Sequence, residues 1–147
     1  MLKQLSVGVL LIFLAGCGTH KVQFYGEVDR SDKTVMVPPG SEGLKGRLKQ
    51  ALAEDGWKLV IYRGPSVTEG EAGEKTKLLH YDTYNSRYQL VVSSYQYGSS
   101  CPGFGAAMNY DVSFIDNTSG NEVFTINGRG CGGGTAVKNF MRMVRGR

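Results

Sequence analysis

The chain has 147 residues, 41% of them hydrophobic, with 17 Lys and Arg against 13 Asp and Glu and a formal net charge of +4. That length fits one domain rather than several, and it is long enough to bury a real core. The only histidines, His20 and His80, lie far apart with no ligand spacing, so a metal site is poorly supported.

Lys3 opens the chain with a positive charge, and Leu5 to Leu14 (LSVGVLLIFL) follow as an apolar run. The run is short of the about 20 residues that a roughly 30 Å hydrocarbon core requires. Ala15 and Gly16 are the small residues a signal peptidase needs. Leu14-Ala15-Gly16-Cys17 resembles the lipobox of bacterial lipoproteins. The resemblance implies that Cys17 becomes the first mature residue, carrying a thioether-linked diacylglycerol and usually an N-acyl chain, with no other cofactor. Two or more chains anchor stably where one is marginal. The plainer alternative is an ordinary secretory signal that leaves Cys17 a thiol. Gly18, not aspartate, follows the cysteine. That resembles an outer-membrane address, with the inner membrane as the alternative. Residues 1–16 are therefore expected to be a signal peptide, 17–33 a lipidated tether, and 34–147 a single domain facing the periplasm.

Cys101 and Cys131 remain as a pair in a chain bound for an oxidising compartment. Their disulfide would close a loop of about thirty residues, which the chain-entropy model values at roughly 3–4 kcal/mol. Two free thiols flanked by glycine are the alternative.

Within the tether, Val22 to Tyr25 (VQFY) is expected to form a short edge strand or to dock onto the domain. Thr34 to Val37 (TVMV) is a β-branched run stopped by Pro38-Pro39. Ser41 suits an N-cap, and the helix after it puts Leu44, Leu48, Ala51 and Leu52 on one stripe. Gly56 is placed to end that helix. Trp57 to Tyr62 (WKLVIY) reads as a strand, and the acidic, Gly-rich 64–76 as a mobile surface loop. Lys77 to Tyr84 is ambiguous between states, with strand preferred. Arg87 to Tyr97 alternates, placing Tyr88, Leu90 and Val92 against Gln89, Val91, Ser93 and Tyr95. Gly98 to Ala107 should be a loop. Asn109 to Asp116 and Glu122 to Ile126 form a hairpin around Asn117-Thr118-Ser119-Gly120, with Tyr110, Val112, Phe114, Phe124 and Ile126 inward. Beyond the glycine-rich 128–134, a helix from Thr135 to about Arg145 carries Val137, Phe140, Met141 and Val144 on its apolar stripe. Lys138, Arg142 and Arg145 share its other face.

This order predicts an α+β sandwich: a mixed, mainly antiparallel sheet of about five strands with two helices on one face. The strand, the helix ending Glu54-Asp55-Gly56-Trp57, and the late hairpin Phe114-Ile115-Asp116-Asn117-Thr118-Ser119-Gly120 together resemble periplasmic lipoprotein domains. The nearest kinds are penicillin-binding-protein activators and the amino-terminal domain of TolB. Size and layout also resemble small prophage-borne lipoproteins of enteric bacteria. Neither resemblance implies a catalytic residue.

For function, the aromatics Tyr95, Tyr97 and Phe104 around Cys101 offer rigid contact area for a partner, or cap the core edge. A bridge to Cys131 would bring them close to Arg129. The turn Gly128-Arg129-Gly130-Cys131-Gly132-Gly133-Gly134-Thr135 leads into a helix and could cradle an anion, though it lacks a P-loop's Gly-Lys-Ser/Thr. A flexible turn shaped around the bridge is the simpler account. With Lys138, Arg142 and Arg145 on the late helix, the alternative function is binding an anionic glycan or lipid headgroup. No Gly-x-Ser-x-Gly elbow accompanies the serines, and His80 beside Asp82 is a weak basis for a hydrolase. The expectation is a non-enzymatic envelope lipoprotein with an adaptor, assembly or stress-linked role. It would be held to a membrane by lipid and contact an envelope protein, with no nucleic-acid partner and an oligomeric state that the sequence leaves open. Palmitate fed to producing cells should label the chain and not its Cys17→Ala variant; equal labelling of both would refute the anchor.

Overall fold

A computed structural model describes residues 18–62, 67–71, 77–81, 86–101, 105–131 and 133–146. The lipobox, with Cys17, lies outside the described residues.

The fold is α+β. Strands β1 (Thr19–Phe24), β2 (Thr34–Val37), β3 (Lys58–Ile61), β6 (Tyr88–Cys101), β7 (Gly105–Asp116) and β8 (Asn121–Cys131) form one six-stranded mixed sheet in the order β1-β8-β7-β6-β2-β3. From β1 to β6 the neighbours run antiparallel, and β6-β2-β3 run parallel. The parallel pair β2 and β3 needs a crossover, which helix α1 (Gly43–Glu54) supplies. Helix α2 (Gly134–Val144) follows β8 and packs beside α1 on the same face. A separate hairpin, β4 (Val67–Glu71) with β5 (Lys77–Tyr81), pairs Val67 with Tyr81 through Glu71 with Lys77.

Several expectations are corrected here. The edge strand expected at Val22 to Tyr25 begins earlier, at Thr19, and stays in register with β8 over all six residues to Phe24, so it takes up part of the stretch read as tether. Residues 67–71, read as loop, pair with β5, because backbone hydrogen bonding can hold a strand that has little apolar surface to bury. Residues 98–101 and 105–107, read as loop, extend the β6–β7 hairpin to Cys101 and Gly105. Glycines 128 and 130, read as part of a turn, continue β8 opposite Tyr110 and Met108. Ser41 is not the cap: Glu42 holds that position, with no side-chain hydrogen bond.

The far end of α1 follows its sequence signal. Gly56 takes φ of 83°, a left-handed conformation that glycine adopts without strain. Its N–H donates to the Ala53 carbonyl at 3.0 Å, and that of Trp57 donates to Leu52 at 3.0 Å. This closure turns the Trp57 side chain straight into the core, where it is 4% exposed.

Leu44, Leu48 and Leu52 from α1 and Ala136, Phe140, Met141 and Val144 from α2 are buried against Leu90, Val112, Phe114, Phe124 and Ile126 of the sheet. Phe114 sits at the centre. Its ring stacks on Tyr88 at 4.9 Å and Phe124 at 5.3 Å, and meets Trp57 at 5.8 Å and Phe140 at 5.7 Å edge-on. Asp116 then starts the turn. Its carboxylate accepts from the Thr118 N–H at 2.8 Å and from Arg87 at 3.0 Å, and its carbonyl accepts from the Gly120 N–H at 2.7 Å.

Phe114→Ala should cost about 3–5 kcal/mol in urea unfolding, because it removes the one ring shared by sheet, α2 and Trp57. Val91→Ala on the opposite face should stay within about 0.5 kcal/mol. Equal losses from the two variants would contradict this account of the core.

Candidate functional site

Helices cover one face of the sheet, so alternation sends every second side chain of β1, β8, β7 and β6 to the other. Across that face, which neither of the described helices covers, Thr19, Arg129, Asn109 and Tyr95 stand in one row, neighbours by register. Tyr95 is 63% exposed, and its hydroxyl accepts a hydrogen bond from Asn109 Nδ2 at 2.7 Å. Arg129 is exposed beside Asn109. The next rows are polar: Lys21, Asn127, Asp111 and Ser93, then Gln23, Thr125, Ser113 and the exposed Val91. Gln23 Oε1 accepts from Tyr25 at 3.0 Å and Thr125 at 3.3 Å. Cross-strand side-chain pairs of this kind stabilise the sheet.

The structure joins Cys101 and Cys131 by a disulfide, with Cα atoms 5.7 Å apart. Of the aromatics expected around it, Tyr95 shares the row with Arg129. Tyr97 pairs with Ala107 through its backbone; its side chain and all of Phe104 lie outside the described residues, as does the side chain of His80 on β5. Lys138, Arg142 and Arg145 do not join this group. They belong to α2, on the covered side of the sheet.

The stretch 128–135, read as a turn around the bridge with an anion cradle as the alternative, is divided between two elements. Gly128 to Cys131 belong to the β8 ladder, and α2 begins only at Gly134, with Gly133 as a cap that makes no side-chain bond. The glycines serve close packing instead. A Cβ at Gly128 would fall 2.5 Å from the Thr19 carbonyl oxygen and 2.7 Å from the Tyr110 hydroxyl. The space it leaves admits the Tyr110 phenol, whose hydroxyl lies 2.6 Å from His20 Nδ1, the two rings stacked at 5.9 Å. Burial pushes the Tyr110 phenol above its ordinary value. The sequence signal for this packing is Gly-x-Gly at strand spacing, which reads just as easily as a turn.

A second unforeseen site is Asp55, 11% exposed at the C-terminus of α1. Arg145 Nε lies 2.9 Å from one carboxylate oxygen; Arg30 Nη2 at 2.9 Å, Lys33 Nζ at 3.5 Å and the Trp57 indole N–H at 3.2 Å address the other. Lys33 also donates to the Asp55 carbonyl at 2.7 Å. Arg145 therefore turns toward α1, while Lys138 and Arg142 stay exposed. Burial by itself raises the Asp55 pKa, but the Arg145 hydrogen bond, the charges of Arg30 and Lys33 and the Trp57 bond outweigh it and hold the carboxyl below its ordinary value.

Among the described residues, no three His, Cys, Asp or Glu side chains are grouped to hold a metal ion, and no helix is long and apolar enough to cross a membrane. No protein-family model and no curated protein matches the chain. Two solved structures of PelC dodecamers from Paraburkholderia phytofirmans are similar to it. A single-substitution variant in one crystal form is 15% identical, with a TM-score of 0.49 covering 79% of this chain and 81% of that one. Another crystal form is 14% identical, with a TM-score of 0.48 covering 79% and 82%. At these levels neither bears on what this chain does.

Because Asp55 is held below its unfolded value of about 3.9, its contribution is complete above that pH and is lost as pH falls through the folded value. Asp55→Asn should cost about 1–3 kcal/mol at neutral pH. It should also flatten the loss of stability below about pH 4. A variant whose stability falls as steeply with acid as the parent's would show that Asp55 is not the linked group.

Proposed function

We propose that the chain is a lipid-anchored lipoprotein of the bacterial envelope, facing the periplasm, that acts by binding an envelope protein rather than by catalysis. The observation that carries the binding reading is the sheet face away from the described helices, and above all the row Tyr95, Asn109, Arg129 and Thr19. Tyr and Arg are the residue types that concentrate binding energy at interfaces. Here both rise from paired strands, and the Asn109 bond already fixes the Tyr95 hydroxyl. A partner therefore has little side-chain freedom left to freeze on docking. The anchoring reading rests on Leu14-Ala15-Gly16-Cys17, and the preference for the outer membrane on Gly18.

A photoreactive amino acid in place of Tyr95, at native expression, should give an adduct with one envelope protein in near-stoichiometric yield. The same residue at Gln50, on the exposed side of α1, should give none. No adduct from position 95, or the same adducts from both positions, would refute the sheet face as the binding surface. An adduct with the chain itself alone would replace the partner with self-association.

A further inference from the structure

We propose that the end of the sheet bearing Thr19, Arg129 and the Cys101–Cys131 bridge lies against the anionic phospholipid headgroups of the membrane that holds the chain, so that the domain sits flush on the bilayer with no free tether. The inference rests on acylation of Cys17, as proposed above.

The first ground is the length of chain between lipid and sheet. Thr19 pairs with Arg129. Gly18 is already seated on β8: a Cβ there would lie 3.3 Å from the Arg129 carbonyl oxygen and 2.9 Å from the His20 ring. From Cys17 to Thr19 is two residues, at most about 7 Å even when fully extended. An acylated Cys17 must therefore hold this end of the sheet at the headgroups. The His20 ring on Tyr110, and the close approach of the Thr19 carbonyl to Gly128, pin β1 at that same end.

The second ground is charge. The antiparallel register brings the C-terminal ends of β6 and β8 to the Thr19 end. The start of α1 is there too, since Glu42 to Lys45 line a cleft with Ser94, Gln96 and Met108. Gly133, just before α2, faces Leu44 and Arg47. Both helices therefore run away from this end, and their C-termini meet where Arg145 reaches Asp55. Arg129, Lys45, Arg47 and Lys138 cluster toward the anchored end, with Glu42 beside them and Asp111 one row further along β7. Asp29, Asp32, Glu54, Asp55, Asp116 and Glu122 belong to the opposite end, with the turn at Thr118, but Arg30, Lys33, Arg87 and Arg145 stand there too and pair with Asp55 and Asp116, so charge at that end is nearly balanced. Cations near an anionic leaflet are attracted within about a Debye length of roughly 8–10 Å. The surplus of cations at the anchored end therefore favours the same orientation that the short link imposes. Once the domain stands this way, β7, roughly 35–40 Å long, points from the bilayer, and the helix-free face is presented side-on to the periplasm with the row from Thr19 to Tyr95 at its membrane end.

The test uses the full acylated chain in vesicles of phosphatidylcholine, with or without phosphatidylglycerol, and a lipid whose headgroup chelates nickel. A spin label is placed on an encoded ketone residue at Gln96, at the anchored end, or at Thr118. In phosphatidylglycerol vesicles nickel should enhance relaxation severalfold more at Gln96 than at Thr118. That contrast should shrink in phosphatidylcholine alone and in the variant Lys45→Gln, Arg47→Gln, Arg129→Gln, Lys138→Gln. Equal enhancement at both sites in a chain that floats with the vesicles would overturn the flush orientation while leaving the anchor standing. A contrast unchanged by lipid charge and by the four substitutions would overturn the role of the headgroups. A chain that fails to float would defeat the anchor, and the orientation with it.

Discussion

The ring of Phe114 is where the layers of the fold meet. Tyr88 and Phe124 stack on it from the neighbouring strands, while Phe140 of α2 and Trp57 close on its edges. Trp57 reaches it because the turn at Gly56 ends α1 within one residue, and that same turn presents Asp55 to Arg30, Lys33 and Arg145. Core packing, helix termination and the charge cluster are thus one local arrangement. Aromatic contacts of this geometry each add about 0.5–1.5 kcal/mol beyond burial. The Asp55 cluster is mainly a means of fixing position, since its cations are partly in water.

At the other end of the sheet, β1 sets how the molecule meets its surroundings. It is an edge strand and makes few core contacts, with Val22 and His20 half-buried and Phe24 exposed. Its place depends on the six-residue pairing with β8 and on Gly128, where a side chain would collide with both Thr19 and Tyr110. A strand that begins two residues after the proposed lipid-bearing cysteine removes the usual slack between anchor and domain. It converts a question about binding partners into one about orientation. Arg129 stands where the two surfaces meet: the face that runs on from Tyr95 is open to protein, and the end that carries Arg129, Arg47 and Lys138 meets lipid.

The hairpin 109–126 was legible because Tyr110, Val112 and Phe114 alternate cleanly with polar residues, and the turn supplies Asp116, Asn117 and Gly120 at the positions where they bond or bend. Both helices were legible from leucine or aromatic residues at three- and four-residue spacing. Composition misled wherever pairing, not burial, holds the chain. Thr19 to Phe24 shows a weak alternation because only one side of an edge strand is half-covered. Residues 67–71 are acidic and Gly-rich, yet bond to β5. Gly128 and Gly130 look like a turn but pair in the ladder, and at Gly128 the Tyr110 phenol and the Thr19 carbonyl need the room. The row from Tyr95 to Arg129 was partly legible, since the cysteine spacing brings the two segments together; that Asn109 stands between them follows only from register. Asp55 gave no warning, because Arg145 lies 90 residues away in sequence, and Lys138, Arg142 and Arg145, equivalent on a helix wheel, separate once α1 is alongside.

The claim on which the functional account turns is that residues 19–24 belong to the sheet and do not form a tether. Native-state hydrogen exchange of the mature chain measures this directly. The amides of β1 that face β8 should exchange far more slowly than free peptide, with protection approaching that of β8 itself. Exchange from 19 to 24 at the rate of an unstructured segment, while β7 and β8 stay protected, would contradict the account and restore a flexible link between lipid and domain.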